Sequence, residues 1–198
     1  GGKTCLFTLM NNLNSKNYKF NKKYDATRGF NLTELTFESD SGKINLHLWD
    51  TAGQEKFGNL RDAYLKGADV VLCLYDINNW RTAKHVDNWL KNVKRICGSV
   101  PVFVIGNKID EKKLDDLRSA SLRNSHLRSI YGSKNVWNYM MSVKENTWRK
   151  ATSGYFSTSY SLEYGGCERL LKYIVSTHLG KKVELKFNVS KVYEDDDF

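Results

Sequence analysis

Residues 70–110, VVLCLYDINNWRTAKHVDNWLKNVKRICGSVPVFVIGNKID, decide the fold. The stretch holds two short continuous apolar runs, Val70-Val71-Leu72-Cys73-Leu74-Tyr75 and Val100-Pro101-Val102-Phe103-Val104-Ile105. Runs of that kind suit strands buried on both faces of a parallel sheet. Between them, from Thr82 to Arg95, Val86, Trp89, Leu90 and Val93 recur at the spacing of one apolar helical face. Strand, helix and strand in that order predict a βαβ unit.

Working outward, Phe30 to Phe37 and Lys43 to Trp49 alternate apolar and polar residues, the period of half-exposed strands. Ser39-Asp40-Ser41-Gly42 between them is turn chemistry, so the pair predicts an antiparallel hairpin. Glu168 to Val175 reads as a further amphipathic helix that stops around Gly180, and Lys181 onward reads as a polar tail ending in Glu194-Asp195-Asp196-Asp197-Phe198. Residues 111–154 are rich in Lys, Arg, Ser and Asn without a sustained period, which predicts a long insertion beside the sheet. The whole is an α/β fold: an open mixed sheet, mostly parallel, with helices on both faces. Its domain is expected over 1–180 and its ligand at the carboxyl ends of the strands.

Composition agrees with one folded domain. The 198 residues are 40% hydrophobic, 13% aromatic and 27% charged, which excludes global disorder. A net charge of +9 allows nucleic acid, an anionic membrane or an acidic protein as partner and does not rank them. The four cysteines, Cys5, Cys73, Cys97 and Cys167, show no metal-site spacing, which fits a reducing compartment. No apolar run approaches the roughly 20 residues of a membrane helix, and the C-terminal residues carry no cysteine for a prenyl group, so no membrane anchor is expected. His47, His85, His126 and His178 share no helical spacing and read as structural.

Three motifs carry chemistry. Gly2-Lys3-Thr4 matches the last three letters of the phosphate-binding G-x-x-x-x-G-K-[ST] loop. Trp49-Asp50-Thr51-Ala52-Gly53-Gln54-Glu55 follows a predicted strand. There an aspartate can hold a magnesium shell, a glycine N–H can meet a terminal phosphate, and a glutamine can orient an attacking water. Asn107-Lys108-Ile109-Asp110 follows the next buried strand. An amide and a carboxylate so placed can distinguish guanine from adenine, while the stem of Lys108 covers one base face.

With these residues in this order the chain resembles the Ras superfamily of small GTPases, which have the P-loop NTPase fold. More narrowly it is similar to the Ran-type branch in Lys22-Lys23-Tyr24-Asp25-Ala26-Thr27, in Asp50 to Tyr64 and in the acidic end Glu194 to Phe198. The resemblance implies a GTP/GDP switch with Mg2+ that hydrolyses GTP slowly unless an activating protein assists. Lys3 would contact the β and γ phosphates, and Thr4 would ligate the metal. Gly2 and Cys5 would line the phosphate loop. Thr27 would add a second hydroxyl to the metal, and Asp50 would hold it through water. Gly53 would sense the γ-phosphate and Gln54 would position the water. Asn107, Lys108 and Asp110 would bind the base, with Phe20 against it. Ser159 and the N–H of Tyr160 would complete the guanine cap, although Ser161 stands where the family has a lysine.

The same resemblance implies importin- and exportin-type receptors, a GTPase-activating protein and an exchange factor as partners, in nucleus and cytoplasm, with no direct nucleic acid. Lys56, Phe57, Arg61 and Asp62 lie on what would be the second switch, as receptor anchors or, for Phe57, as core. Basic and aromatic residues of the 111–154 segment, among them Lys112, Arg118, Arg128, Trp137, Lys144 and Trp148, read as a solvated face, as a receptor patch or as a nucleic-acid surface. A Rab-type trafficking GTPase and a pseudo-GTPase binding module are the alternatives. The family pattern also places a first strand and the start of the phosphate loop before Gly1, so the chain is expected to be N-terminally incomplete, with an open slot in its sheet and weak GTP binding.

Overall fold

A computed structural model describes residues 2–13, 29–51, 58–111, 124–153 and 158–187. The chain begins with α1 (Lys3–Asn11) and continues into β1 (Phe30–Ser39) and β2 (Gly42–Thr51). These two pair antiparallel from Phe30↔Thr51 to Ser39↔Gly42, the expected hairpin. At its tip the Ser39 hydroxyl accepts the Ser41 N–H at 3.0 Å, and Gly42 takes the positive φ of 99° that the tight return requires. Then come α2 (Gly58–Leu65), β3 (Val71–Asp76), α3 (Trp80–Cys97) and β4 (Val102–Asn107), which ends in a 3-10 turn, Ile109–Glu111. The βαβ reading of residues 70–110 holds: β3 and β4 pair in parallel, Val71↔Val102 through Asp76↔Asn107. Asn79 caps α3 by accepting the Arg81 N–H, and Val86, Leu90 and Val93 form its buried face.

The segment read as an insertion contributes to the sheet. It holds α4 (Asn124–Tyr131), β5 (Val136–Ser142) and β6 (Thr147–Ser153), and β5 lies parallel to β4 from Val102↔Val136 to Asn107↔Met141. Beyond β5 the pairing turns antiparallel through β6 and β7 (Thr158–Tyr164). The described strands thus form two sheets, ordered β2-β1-β8 and β3-β4-β5-β6-β7, and parallel pairing is confined to β3, β4 and β5. The β6–β7 ladder closes at its root: Thr147 faces Tyr164, and Gly166 N–H donates to Asn146 O at 2.9 Å.

Alternate residues of the parallel strands serve two cores. Leu74, Phe103 and Ile105 pack with Leu6, Leu9 and Met10 of α1 and with Leu170, Leu171 and Ile174 of α5 (Gly166–Leu179). Val71, Cys73, Val102 and Val104 pack with Val86 and Leu90 of α3 and Leu127 and Tyr131 of α4. Helices therefore cover both faces, and each fully buried aliphatic side chain contributes about 1.5–3 kcal/mol. The polar-tail reading fails at its start. Val183 and Leu185 are buried, β8 (Leu185–Lys186) pairs with β1, and the Phe187 ring lies 5.3 Å from that of Phe37. Among the described residues no helix is long and apolar enough to cross a membrane.

Gly166 opens α5 where no side chain fits. A Cβ there would lie 2.8 Å from Thr147 O, a backbone atom that cannot swing aside. Gly166→Ala is expected to lower stability by about 1–3 kcal/mol, read as a lower urea midpoint. An unchanged midpoint would show that the root of the hairpin yields freely.

Candidate functional site

Gly2 holds φ 90° and caps α1 from its N-terminal side. A Cβ at this position would fall 2.6 Å from Asn107 Nδ2, so the close approach of α1 to the end of β4 requires glycine. The first turn of α1 carries no acidic residue, which leaves its free amides and positive dipole end available to an anion. Lys3 stands in this turn; burial pushes its ammonium down from the ordinary lysine range, and the Asp50 carboxylate draws it partly back. Thr4 Oγ1 donates to Asp50 Oδ2 at 2.8 Å. Asp50 is buried at the end of β2, so a hydroxyl and a carboxylate from distant parts of the sequence meet beside the helix start. Hard oxygen donors of this type fit a magnesium ion. Cys5 is half-buried against the first core, and burial raises its thiol.

The second half of the site lies at the ends of β4 and β5. Asn107 Oδ1 accepts the N–H of Lys108 at 2.8 Å and that of Val143 at 3.0 Å. Asp110 sits in the 3-10 turn with its side chain 5% exposed; its Oδ2 is 3.5 Å from Lys144 Nζ. Its Oδ1 is buried and has no hydrogen-bond partner among the described residues. A buried carboxylate oxygen without a donor is costly, and it fits a ligand that brings N–H groups, as the N1–H and N2–H edge of guanine does.

The structure thus brings Gly2, Lys3, Thr4, Asp50, Asn107, Lys108 and Asp110 to the carboxyl ends of the strands. Phe20, Thr27, Gly53 and Gln54 lie outside the described residues, as do Lys56 and Phe57. Ser159 and Tyr160 do not join the site. They stand on β7, separated from β4 by β6 and β5, so the guanine cap read into them is misplaced. The residues that stand beside Asn107 and Asp110 are Val143 and Lys144, which follow Ser142 at the end of β5 as Lys108 follows Asn107 at the end of β4. Sequence reading missed them because Asn138 interrupts the apolar run Val136-Trp137 and Tyr139-Met140-Met141. Parallel alignment of this run with Val102 to Asn107 was the signal available.

A helix start and a buried carboxylate on one side, with a base-reading asparagine and aspartate on the other, define a nucleotide site of the small-GTPase class. A sequence model of the Ras family matches residues 1–156, and the chain belongs to that family. Small GTPases of this family bind GTP and GDP with Mg2+, hydrolyse GTP and act as switches.

Lys3 is expected to cost the ligand-free fold stability. A base whose pKa falls on folding opposes folding below its folded pKa, and the penalty fades as pH rises into the ordinary lysine range. Lys3→Met should raise the urea midpoint at pH 7, by less as the pH approaches about 10. It should also weaken GDP binding by about tenfold or more, the loss of a charge-assisted contact to phosphate. A midpoint that falls would overturn this assignment.

Proposed function

We propose that the chain is a Ran-type switch: a GTP-binding, GTP-hydrolysing protein that controls cargo loading of importin- and exportin-type receptors between nucleus and cytoplasm. The nucleotide half of this reading is carried by Asp110, whose buried Oδ1, beside the Asn107 junction, has no donor among the described residues. The transport half rests on the similarity of Lys22 to Thr27, of Asp50 to Tyr64 and of the acidic end to Ran-type chains.

In this reading Lys3 and the α1 amides hold the phosphates. Thr4, Thr27 and, through water, Asp50 would hold Mg2+, which when bound neutralises charge on the β and γ phosphates. Gln54 orients a water that attacks the γ-phosphorus as the bond to the β-phosphate oxygen breaks, giving GDP and inorganic phosphate. Loss of the γ-phosphate frees the loops around Thr27 and Gly53, and the receptor lets go. Residues beside these loops offer the receptor an apolar anchor: Phe30, Leu32 and Trp49 are each more than two-fifths exposed. Phe30 stacks on Trp49 at 5.2 Å and meets Tyr64 at 4.8 Å. Exposed aromatics in such a group are a common anchor of interfaces. An exchange factor and an activating protein complete the cycle.

Single-turnover hydrolysis separates an active switch from a binding module. Gln54→Leu should slow GTP hydrolysis by about tenfold or more at unchanged GTP affinity; equal rates would remove Gln54 from the chemistry. Receptor capture tests the transport role. Immobilised chain loaded with GTP should retain importin-type receptors, and GDP-loaded chain should not; equal retention in the two states sinks the transport reading.

A further inference from the structure

Outside glycine, positive φ occurs among the described residues at Lys108, 70°, and Asn146, 51°. Asparagine tolerates this region, whereas a longer side chain meets a steric cost between Cβ and the carbonyl oxygen. Such a conformation persists where its surroundings over-determine it. Around Lys108 they do. Its Nζ lies 2.6 Å from Asp76 Oδ2, its carbonyl accepts Asn78 Nδ2 and Glu111 N–H, each at 3.2 Å, and its own N–H is held by Asn107. Asn78 Nδ2 also reaches Glu111 Oε2 at 3.0 Å.

Asp76 is itself fixed. It ends β3 opposite Asn107, its N–H donates to Thr82 Oγ1 at 2.9 Å, and its Oδ1 accepts Asn78 N–H at 2.9 Å. Its side chain is 13% exposed. We propose that Asp76, helped by Asn78, is a positioning residue of the nucleotide site: it holds Lys108 so that the methylene stem, not the ammonium, faces the base. This rests on the guanine-nucleotide reading above. The charge logic supports it. A lone lysine ammonium beside a bound polyphosphate would swing toward the phosphates, and a lone carboxylate would repel them. Paired, the two cancel, and the lysine is left presenting a flat apolar surface.

The test uses the full chain loaded with N-methylanthraniloyl-GDP. Asp76→Ala should speed its dissociation about threefold, and Asp76→Asn, which keeps the shape and the acceptor for Asn78, should move it the same way. In a Lys108→Met background Asp76→Ala should add nothing, because both act through one contact. Additive effects, or slower dissociation in Asp76→Ala, would overturn the proposal. Amide hydrogen exchange at Glu111, whose N–H donates to Lys108 O, gives a readout in the ligand-free chain. Faster exchange in Asp76→Ala supports the clamp, and unchanged exchange refutes it. If the unsubstituted chain binds no GDP, the nucleotide reading fails, while the exchange measurement still decides what Asp76 does.

Discussion

One buried carboxamide ties the site together. Asn107 is 4% exposed, and its oxygen takes the first N–H of its own loop and the N–H of Val143 after the next strand. Its nitrogen meanwhile sets the closest approach of Gly2. The start of α1, the Lys108–Asp110 turn and the loop after β5 are therefore positioned by one side chain. None of the three has a regular ladder to hold it, so their relative placement follows from how accurately the end of β4 is built. That accuracy comes from the two cores, which clamp β4 from both faces through alternate residues.

The electrostatics divide along the same line. On the α1 side a lysine is kept in a partly desolvated place, where its charge is costly until an anion arrives. On the Asp110 side a carboxylate oxygen is buried with no donor among the described residues. Each is costly by burial. Binding sites commonly carry such tension, since a group already stripped of water loses little more when its ligand is seated.

Much of this was legible from the residues. The βαβ unit announced itself because the runs Val70 to Tyr75 and Val100 to Ile105 are apolar throughout and α3 keeps one clean face of Val86, Leu90 and Val93. Asp50 and Asn107 were readable because each stands at the carboxyl end of a strand pattern. The rest failed for physical reasons. β5 carries Asn138 in its middle, which breaks the run that marks a buried strand, so Ser142 to Lys144 lost the context that would have identified them. Ser159 was matched by residue type along the chain, while space placed it at a sheet edge. Val183 and Leu185 alternate over three residues between lysines, too brief a pattern to read as a strand.

The root of the β6–β7 ladder carries a consequence for the layout of this chain. Asn146 passes its carbonyl to Gly166 N–H and its side-chain oxygen to Cys167 N–H at 2.8 Å, so α5 starts as though residue 146 were its immediate predecessor. Thr147 and Tyr164, paired at that root, carry β6 and β7 away from and back to the body at one point. Trp148, near that point, is buried and stacks on Tyr139; the ladder beyond runs outward to the far edge of the sheet. The molecule thus keeps a margin, its β7 edge, two strands removed from the text of the site.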